Sequence, residues 1–186
     1  MREPLLTAAQ HALVEIWERH MAAEFETRSV DATMSTMTDD PVVNHVPVMT
    51  GGVGARDVRD FYGMHFIGRH PPDMTIIPLT RTVGHDRVVD ELICQFTHTI
   101  DMPWILPGVA PTGRHVEVPL VVVVEFSDGR ISAERIYWDQ ASVLAQIGLI
   151  DAGKLPVTGA EAARKVLHAA QEPSNALIAR ATESGR

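Results

Sequence analysis

The chain has 186 residues, of which 45% are hydrophobic, and its 24 acidic and 16 basic residues give a formal net charge of −8. This acidic balance argues against binding to nucleic acid or to anionic membranes, because both require basic patches. A single cysteine excludes an internal disulfide and a thiolate zinc cluster. No apolar run approaches the ~20 residues of a membrane span, and the N-terminus lacks the apolar core of a signal peptide. We therefore expect a soluble, cytoplasmic protein.

The first helix is predicted to begin at a capping box in residues 7–10. Apolar residues then recur at helical spacing as far as Met21, which gives the helix one apolar stripe. A shorter helix is predicted over residues 29–37. Pro41 ends it, because proline disfavours helical geometry in the residue before it.

A short strand is predicted over residues 42–46, and the glycine-rich run at 50–54 is predicted to be a turn. A third helix is predicted over residues 55–67. Helical spacing places Tyr62 and His65 on the inward face of that helix.

The apolar period changes to two in the centre of the chain, which predicts strands over residues 74–83 and 87–99. The segment 101–113 contains three prolines and two glycines, so we predict an ordered surface loop. This loop carries Trp104 and two further large apolar residues. Such a loop is typical of a pocket rim or a subunit contact.

Two long strands are predicted over residues 116–139, joined by a hairpin turn at 127–129. A helix of about two turns follows and ends at Gly148. A second capping box predicts a helix over residues 158–171, and the segment after Pro173 is predicted to be a loosely held tail.

The order of elements, helices first and meandering strands later, favours an α+β fold with helices on one face of a mainly antiparallel sheet. We expect one domain over residues 1–155. A C-terminal helical extension and tail are expected over residues 156–186.

Asp139 stands at the end of the last apolar strand, on the same face as Tyr137 and Arg135, because side chains alternate along a strand. A carboxylate between apolar walls has its charged form disfavoured, which is how general bases are tuned. The competing interpretation is that Asp139 caps the helix that begins at Gln140. The two roles are compatible.

Other polar residues of the strands are candidates as well, each with an ordinary structural interpretation. Glu125 faces either the interior or the solvent before the hairpin turn, and His45 is flanked by apolar residues. His98 and Glu91 lie on opposite faces of one strand unless a bulge intervenes. The nine histidines include no pair at the spacing of a metal site, and the run at 51–54 lacks the residues of a nucleotide loop.

The chain resembles the nuclear-transport-factor-two-like superfamily and, within it, the SnoaL-like polyketide cyclases. The resemblance covers about residues 13–149. It is carried by TGGVGARDVRDF (50–61), PTGR (111–114), FSDGRI (126–131), YWDQ (137–140) and LAQIG (144–148).

This resemblance implies a cone in which helices and a curved sheet enclose an apolar pocket, usually in a homodimer, and an aldol-type reaction without metal or cofactor. The strand-end aspartate that serves as acid and base in the cyclases corresponds to Asp139. Tyr137 and Glu125 stand where the cyclases have histidines. Limonene-epoxide-hydrolase-like members use an Asp–Arg–Asp arrangement, which Arg135, Glu125 and Asp139 match loosely.

The first functional hypothesis is a cofactor-independent cyclase, isomerase or lyase that acts on an apolar, carbonyl-bearing small molecule. Asp139 is its general base, Tyr137 donates a hydrogen bond, and His45 or His98 orients or shuttles the proton. Predicted substrate-binding residues are Tyr62, His65, Glu91, Trp104, Glu125 and Arg135.

Two other hypotheses remain open. One is an epoxide or lactone hydrolase with water held between Asp139 and Glu125 or Glu91. The other is a binding protein for an apolar small molecule. A homodimer is expected through the sheet face or the Trp104 loop.

Overall fold

One six-stranded sheet organises the chain in the computed structural model, which describes residues 6–184. The strands are β1 (Met37–His45), β2 (Thr50–Val53), β3 (Thr75–Val83), β4 (Arg87–Thr97), β5 (His115–Ser127) and β6 (Arg130–Trp138). Their order in the sheet is β2-β1-β6-β5-β4-β3. The β1–β6 pair is parallel and the other pairs are antiparallel. The sheet is curled and does not close, and the predicted α+β class is confirmed.

The helices are α1 (Ala8–Phe25), α2 (Val30–Ser35), α3 (Ala55–Phe61), α4 (Gln140–Gln146), α5 (Glu161–Leu167) and α6 (Ala176–Ser184). The predicted capping box is present at the start of α1, where Thr7 and Gln10 each satisfy a backbone N–H of the other. Trp17 is buried on the predicted apolar stripe of α1. Among residues 6–184, no helix is long and apolar enough to cross a membrane.

Two predictions in the first third of the chain are wrong. Residues 39–41 lie inside β1 rather than at a helix end, because a register shift in the β1–β6 pairing between Met37 and Val42 accommodates Pro41. The predicted turn at 50–54 includes β2. Gly51 has a φ of +140°, and a Cβ there would lie 1.9 Å from the Val43 carbonyl oxygen. The glycine therefore permits a close strand pairing that looks like a turn in sequence.

The predicted third helix changes geometry after Phe61. Residues Tyr62–Phe66 form a π-helical turn, in which the N–H of Ile67 donates to the carbonyl of Tyr62 (2.9 Å). The wider turn changes the angular spacing of side chains. Tyr62 stays buried, whereas His65 is exposed, so the prediction of an inward His65 is wrong.

The predicted β5–β6 hairpin is confirmed. Asp128 and Gly129 both have positive φ, +51° and +70°, as a two-residue turn between twisted strands requires. Side chains of β4, β5 and β6 that face α1 form the core, and we call this side the inner face of the sheet. The loop 101–113 completes the core, because Trp104 is only 2% exposed and Ile105 and Leu106 are fully buried.

The C-terminal segment differs from its prediction. No Thr158 side chain caps α5, and the Glu161 carboxylate instead accepts from the backbone N–H of Gly159 (2.8 Å). The segment beyond Pro173 forms α6 rather than a loose tail. Arg180 in α6 donates to the carbonyls of Ala152 (2.7 Å) and Leu155 (2.5 Å).

Candidate active site

A small cavity of about 70 Å³ lies between α1, the π-helical turn and the inner face of the sheet. Most of its lining is apolar. Three of the predicted site residues line it, namely His45, Tyr62 and Trp104. Two buried carboxylates that were not predicted, Glu24 and Glu134, line it as well.

The carboxylates belong to a buried polar network that we call the His20 cluster: His20, Glu24, Tyr62 and Glu134. The Nε2 atom of His20 lies 3.0 Å from Glu134 Oε1 and 3.1 Å from Glu24 Oε1. The same nitrogen lies 3.2 Å from the Tyr62 hydroxyl. The side chains of His20, Glu24 and Glu134 are at most 5% exposed. One ring nitrogen is therefore shared by three oxygen atoms out of reach of bulk water.

Three elements bring the cluster together. On α1, His20 and Glu24 occupy positions i and i+4 of the face that also buries Trp17. On β6, Glu134 and Ile136 are both buried on the inner face. Tyr62 begins the π-helical turn.

The proton on the other ring nitrogen of His20 is assigned by its neighbours. His20 Nδ1 lies 2.6 Å from the Thr36 hydroxyl, and that hydroxyl donates to the carbonyl of Thr33 (2.7 Å). Because the single hydroxyl proton is already used, His20 Nδ1 donates to Thr36. Nε2 then carries either a lone pair or a second proton, and the two carboxylate oxygens facing it favour the proton.

Electrostatics lead to the same protonation state. Burial by itself would lower the pKa of His20, but the charges of Glu134 and Glu24 and their hydrogen bonds outweigh it and raise the pKa to about 10. His20 is thus an imidazolium at neutral pH. It supplies one positive charge to two carboxyl groups.

Glu24 holds a proton more readily than an exposed glutamic acid does. Burial raises the pKa of Glu24, although His20 opposes this effect. Burial and the two neighbouring carboxylates raise the pKa of Tyr62 well above its usual value. The phenol therefore stays protonated and donates to Glu134 Oε1 (3.3 Å).

His45 is a separate polar group in the cavity wall. Its ring lies within 6 Å, centroid to centroid, of four aromatic rings: Phe61, Phe66, Trp104 and Trp138. Burial lowers its pKa to about 4, so the imidazole is neutral. Its Nδ1 has no hydrogen-bond partner in the part of the chain described. An unsatisfied buried polar atom costs roughly 1–3 kcal/mol, and a ligand that pairs with it recovers this energy.

Asp139 lies outside the cavity lining. Its Oδ1 accepts hydrogen bonds from the backbone N–H groups of Ala141 (2.9 Å) and Ser142 (3.2 Å) at the start of α4. The interpretation of Asp139 as a helix cap is confirmed. Tyr137, its predicted partner, is 41% exposed on the face of the sheet away from α1, which we call the outer face. The role of Asp139 as a general base stays a prediction that none of these contacts supports.

Glu125 and Arg135 also lie on the outer face, where they form an ion pair, and Arg87 binds Glu125 as well (3.1 Å). Leu120 lies opposite Trp138 in the β5–β6 register, and Glu125 is five residues further along β5. At roughly 3.3 Å per residue, Glu125 is therefore about 20 Å from Asp139. The expected water site between these two carboxylates is not assembled.

The remaining predicted residues have other contacts. Glu91 accepts from the Thr80 hydroxyl (3.2 Å) in a solvent-exposed pair. His98 is fully buried beyond the end of β4, where Nδ1 lies 3.3 Å from the Thr112 hydroxyl, so it anchors the loop 101–113. His65 is exposed on the π-helical turn. None of these three residues lines the cavity.

The His20 cluster also has the donor set of a metal site. The ligand atoms of His20, Glu24 and Glu134 lie within 4.8 Å of one another, and they form the only such group in residues 6–184. One imidazole and two carboxylates suit a divalent transition metal. When His20 is an imidazolium, however, its Nε2 proton already bridges the two carboxylates.

Sequence reasoning missed His20, Glu24 and Glu134, although a signal for each was present. His20 and Glu24 interrupt the apolar stripe of α1 at inward positions. Glu134 alternates with Ile136 and Trp138, the apolar residues at the end of β6, whereas Asp139 alternates with Tyr137 and Arg135. A charged residue at an inward position of an apolar pattern is the more specific signal.

The curled sheet and its helices define the cone fold of the nuclear-transport-factor-two-like superfamily. A family model described as a SnoaL-like domain matches residues 17–134, which is more than half of the chain. The chain therefore belongs to the SnoaL-like domain family. No curated protein matches it.

Solved structures share the fold at low sequence identity. A protein from Jannaschia sp. CCS1, described as a SnoaL-like polyketide cyclase, has a TM-score of 0.65 and 20% identity, and the match covers 80% of this chain and 99% of that one. AclR from Streptomyces galilaeus, described as a hydroxylase, has a TM-score of 0.57 and 18% identity over 76% of this chain and 99% of its own. A Catenulispora acidiphila protein with a ketosteroid isomerase-like fold, solved with trimethylamine, has a TM-score of 0.54 and 16% identity over 72% and 92%. At these identities the likeness shows the fold alone.

Proposed function

We propose that the chain is an acid/base enzyme that works without a cofactor on a carbonyl-bearing small molecule, and that the His20 cluster is its catalytic apparatus. The observation that carries the proposal is the single His20 nitrogen shared by two buried carboxyl groups at the wall of an apolar cavity. A buried charge of this kind costs several kcal/mol to maintain, so its position beside a cavity favours a functional role.

Glu134 is the general base in this scheme. Its carboxylate removes a proton from the carbon next to the substrate carbonyl, and the electron pair of the broken C–H bond moves onto the carbonyl oxygen as an enolate. The His20 imidazolium, with Nε2 at 3.0 Å from Glu134 Oε1, places a positive charge beside this carboxyl group. The Tyr62 hydroxyl donates to Glu134 Oε1, the oxygen atom that also faces His20, and helps to orient the Glu134 carboxylate.

Glu24 in its protonated form is the hydrogen-bond donor to the enolate oxygen. A neutral carboxylic acid in an apolar site can donate such a bond, because burial keeps it protonated near neutral pH. The unpartnered Nδ1 of His45 holds a second polar atom of the substrate. The enolate then reacts by reprotonation, elimination or ring closure, which correspond to isomerase, lyase and cyclase activities.

Exchange of α-protons in small ketones tests this proposal, because enolate formation is common to all three reactions. Acetone is small enough to suit a cavity of about 70 Å³. In D₂O, ¹H NMR is expected to show faster loss of the α-proton signal with the protein than with buffer alone. Glu134→Gln is expected to reduce this rate by ~10²–10⁴-fold. An exchange rate in the wild type equal to that in buffer would contradict the proposal.

Non-catalytic binding of an apolar small molecule is the second candidate function. It is favoured by the aromatic lining of the cavity and by Asp139, which caps α4 instead of facing the cavity. Denaturing mass spectrometry after native purification tests it. A copurified apolar compound, combined with no ketone exchange, would favour binding over catalysis.

A homodimer through the outer face of the sheet is the arrangement we propose for assembly. Val121 and Tyr137 are neighbours on this face and are 37% and 41% exposed. The Trp104 loop, the other predicted contact surface, buries its aromatic side chain inside the chain. Size-exclusion chromatography with light scattering measures the oligomeric state.

A further inference from the structure

A larger groove lies directly beside the active-site cavity. The groove has a volume of about 850 Å³ and runs between α1 and strands β3 and β4. The groove and the cavity share five lining residues, so one layer of side chains separates them. These residues are Met21, Phe25, Met74, Ile76 and Leu92.

The cavity alone is too small for an ordinary substrate. Its volume of about 70 Å³ is less than half of the ~150 Å³ engineered cavity that binds benzene. Ligand pockets are usually about 300–1,000 Å³. The cavity can therefore hold only the reacting end of a larger molecule, and the rest of that molecule needs adjacent space.

The partition between the two compartments can move. Polar contacts tie the N-terminal part of α1 to the sheet, including Trp17 to Asp90 (2.8 Å) and Arg81 to Glu18 (3.0 Å). Within residues 6–184, no hydrogen bond joins residues 21–25 to β3 or β4. This part of α1 is held to the two strands by apolar packing alone.

The side chains of the partition suit such movement. Met21 and Met74 are only partly buried. Methionine is unbranched and adapts its shape at low cost. Met21 and Met74 are therefore the two residues of the partition that can change rotamer most easily.

The charges around the groove disfavour an anionic occupant. Two arginines and four carboxylates line it, and His70 is neutral because burial and Arg28 lower its pKa to about 4. The net charge of the rim is therefore negative, which opposes an anionic ligand. The charged residues are Glu18, Glu26, Arg28, Arg81, Asp90 and Glu91.

We propose that the groove and the cavity form one two-compartment site, divided by Met21 and Met74, for an elongated, uncharged apolar molecule. The carbonyl end of this molecule enters the cavity, and its apolar body lies in the groove between α1 and β3. The identity of the reacting end rests on the proposed function. The binding geometry does not.

Binding of a neutral fluorescent probe, N-phenyl-1-naphthylamine, tests the site. Met74→Ala and Met21→Ala are each expected to increase the affinity for the probe by about tenfold, because each shortens one side chain of the partition. Met49→Ala is the matched control, since Met49 is 86% exposed and lines neither compartment. The anionic analogue 8-anilinonaphthalene-1-sulfonate is expected to bind more weakly than the neutral probe. Equal affinity in wild type and both partition variants, or stronger binding of the anionic probe, would overturn the inference.

A ketone pair tests whether one molecule spans both compartments. Met74→Ala is expected to raise the ratio of kcat/KM for α-proton exchange of 2-decanone to that of acetone by about tenfold, because only the longer ketone needs an opened partition. Equal changes for both ketones would contradict the two-compartment site. If neither ketone is exchanged by the wild type, the proposed function fails. Displacement of the neutral probe by 2-decanone but not by acetone then still supports the two-compartment site, and its absence overturns it.

Discussion

Removal of one carboxylate from the His20 cluster should change how the stability of the protein depends on pH. In Glu134→Gln, the buried imidazolium of His20 loses the negative charge at 3.0 Å but keeps the Glu24 carboxyl group at 3.1 Å. Glutamine has nearly the same shape as glutamate, so the perturbation is mainly the loss of one charge.

The size of the effect follows from the pKa of His20. The difference between its ordinary value of 6.5 and about 10 corresponds to roughly 5 kcal/mol, at about 1.4 kcal/mol per pH unit. Because the pKa is raised in the folded state, this stabilisation is complete below pH 6.5 and is lost as the pH rises through about 10. The pKa of Glu24 is also raised in the folded state, so this group likewise lowers the free energy of unfolding as the pH rises above 4.5.

Urea unfolding at several pH values between 6 and 10 measures this linkage. The free energy of unfolding of the wild type is expected to fall by several kcal/mol across this range. Glu134→Gln is expected to be less stable by about 3–5 kcal/mol at pH 6 and to show a smaller fall. Asp139→Asn is the control, because asparagine also caps helices and this carboxylate is outside the cluster. Identical pH dependence in wild type and Glu134→Gln would refute the assignment of His20 as an imidazolium held by Glu134.

Three further predictions concern other parts of the structure. His45→Phe replaces an unpartnered buried nitrogen by an apolar ring, so we expect the free energy of unfolding to rise by about 1 kcal/mol in urea titrations while α-proton exchange becomes slower. Dialysis against a chelator is expected to leave α-proton exchange of acetone unchanged, and a loss that Zn²⁺ or Mn²⁺ restores would contradict catalysis without a metal and make the His20 cluster the candidate metal site. Val121→Asp on the outer face is expected to convert the proposed homodimer into a monomer, as measured by light scattering, and an unchanged mass would place the interface elsewhere.

The parts of the fold that could be predicted depend on local chemistry. The hairpin turn at Asp128 and Gly129 requires positive φ at both residues, and this preference is visible in sequence. The cap at Asp139 follows a short-range rule in the same way. The sequence does not indicate β2, because Gly51 is required by a close approach to the Val43 carbonyl and Gly52 by a close approach to the backbone of Asp57 and Val58. Residue preferences alone cannot distinguish these contacts from a turn.

The candidate site was harder to predict because it depends on contacts between distant segments. The His20 cluster joins α1, the π-helical turn and β6. Tyr62 and Glu134 are separated by 72 positions in sequence, and no local sequence pattern indicates that they meet. Burial in β6 also changes face between Ala133 and Glu134, since both are buried. Alternation counted from Ile131 through that irregularity places Asp139 inward and Glu134 outward, whereas alternation counted from Ile136 gives the observed faces.

The comparison of Glu134→Gln with Asp139→Asn in α-proton exchange of acetone tests the central claim most directly, because each variant removes one charge and preserves side-chain shape. We predict that Glu134→Gln loses ~10²–10⁴-fold in rate, while Asp139→Asn remains within about twofold of the wild type. A large loss in Asp139→Asn together with normal exchange in Glu134→Gln would contradict the assignment of catalysis to the His20 cluster.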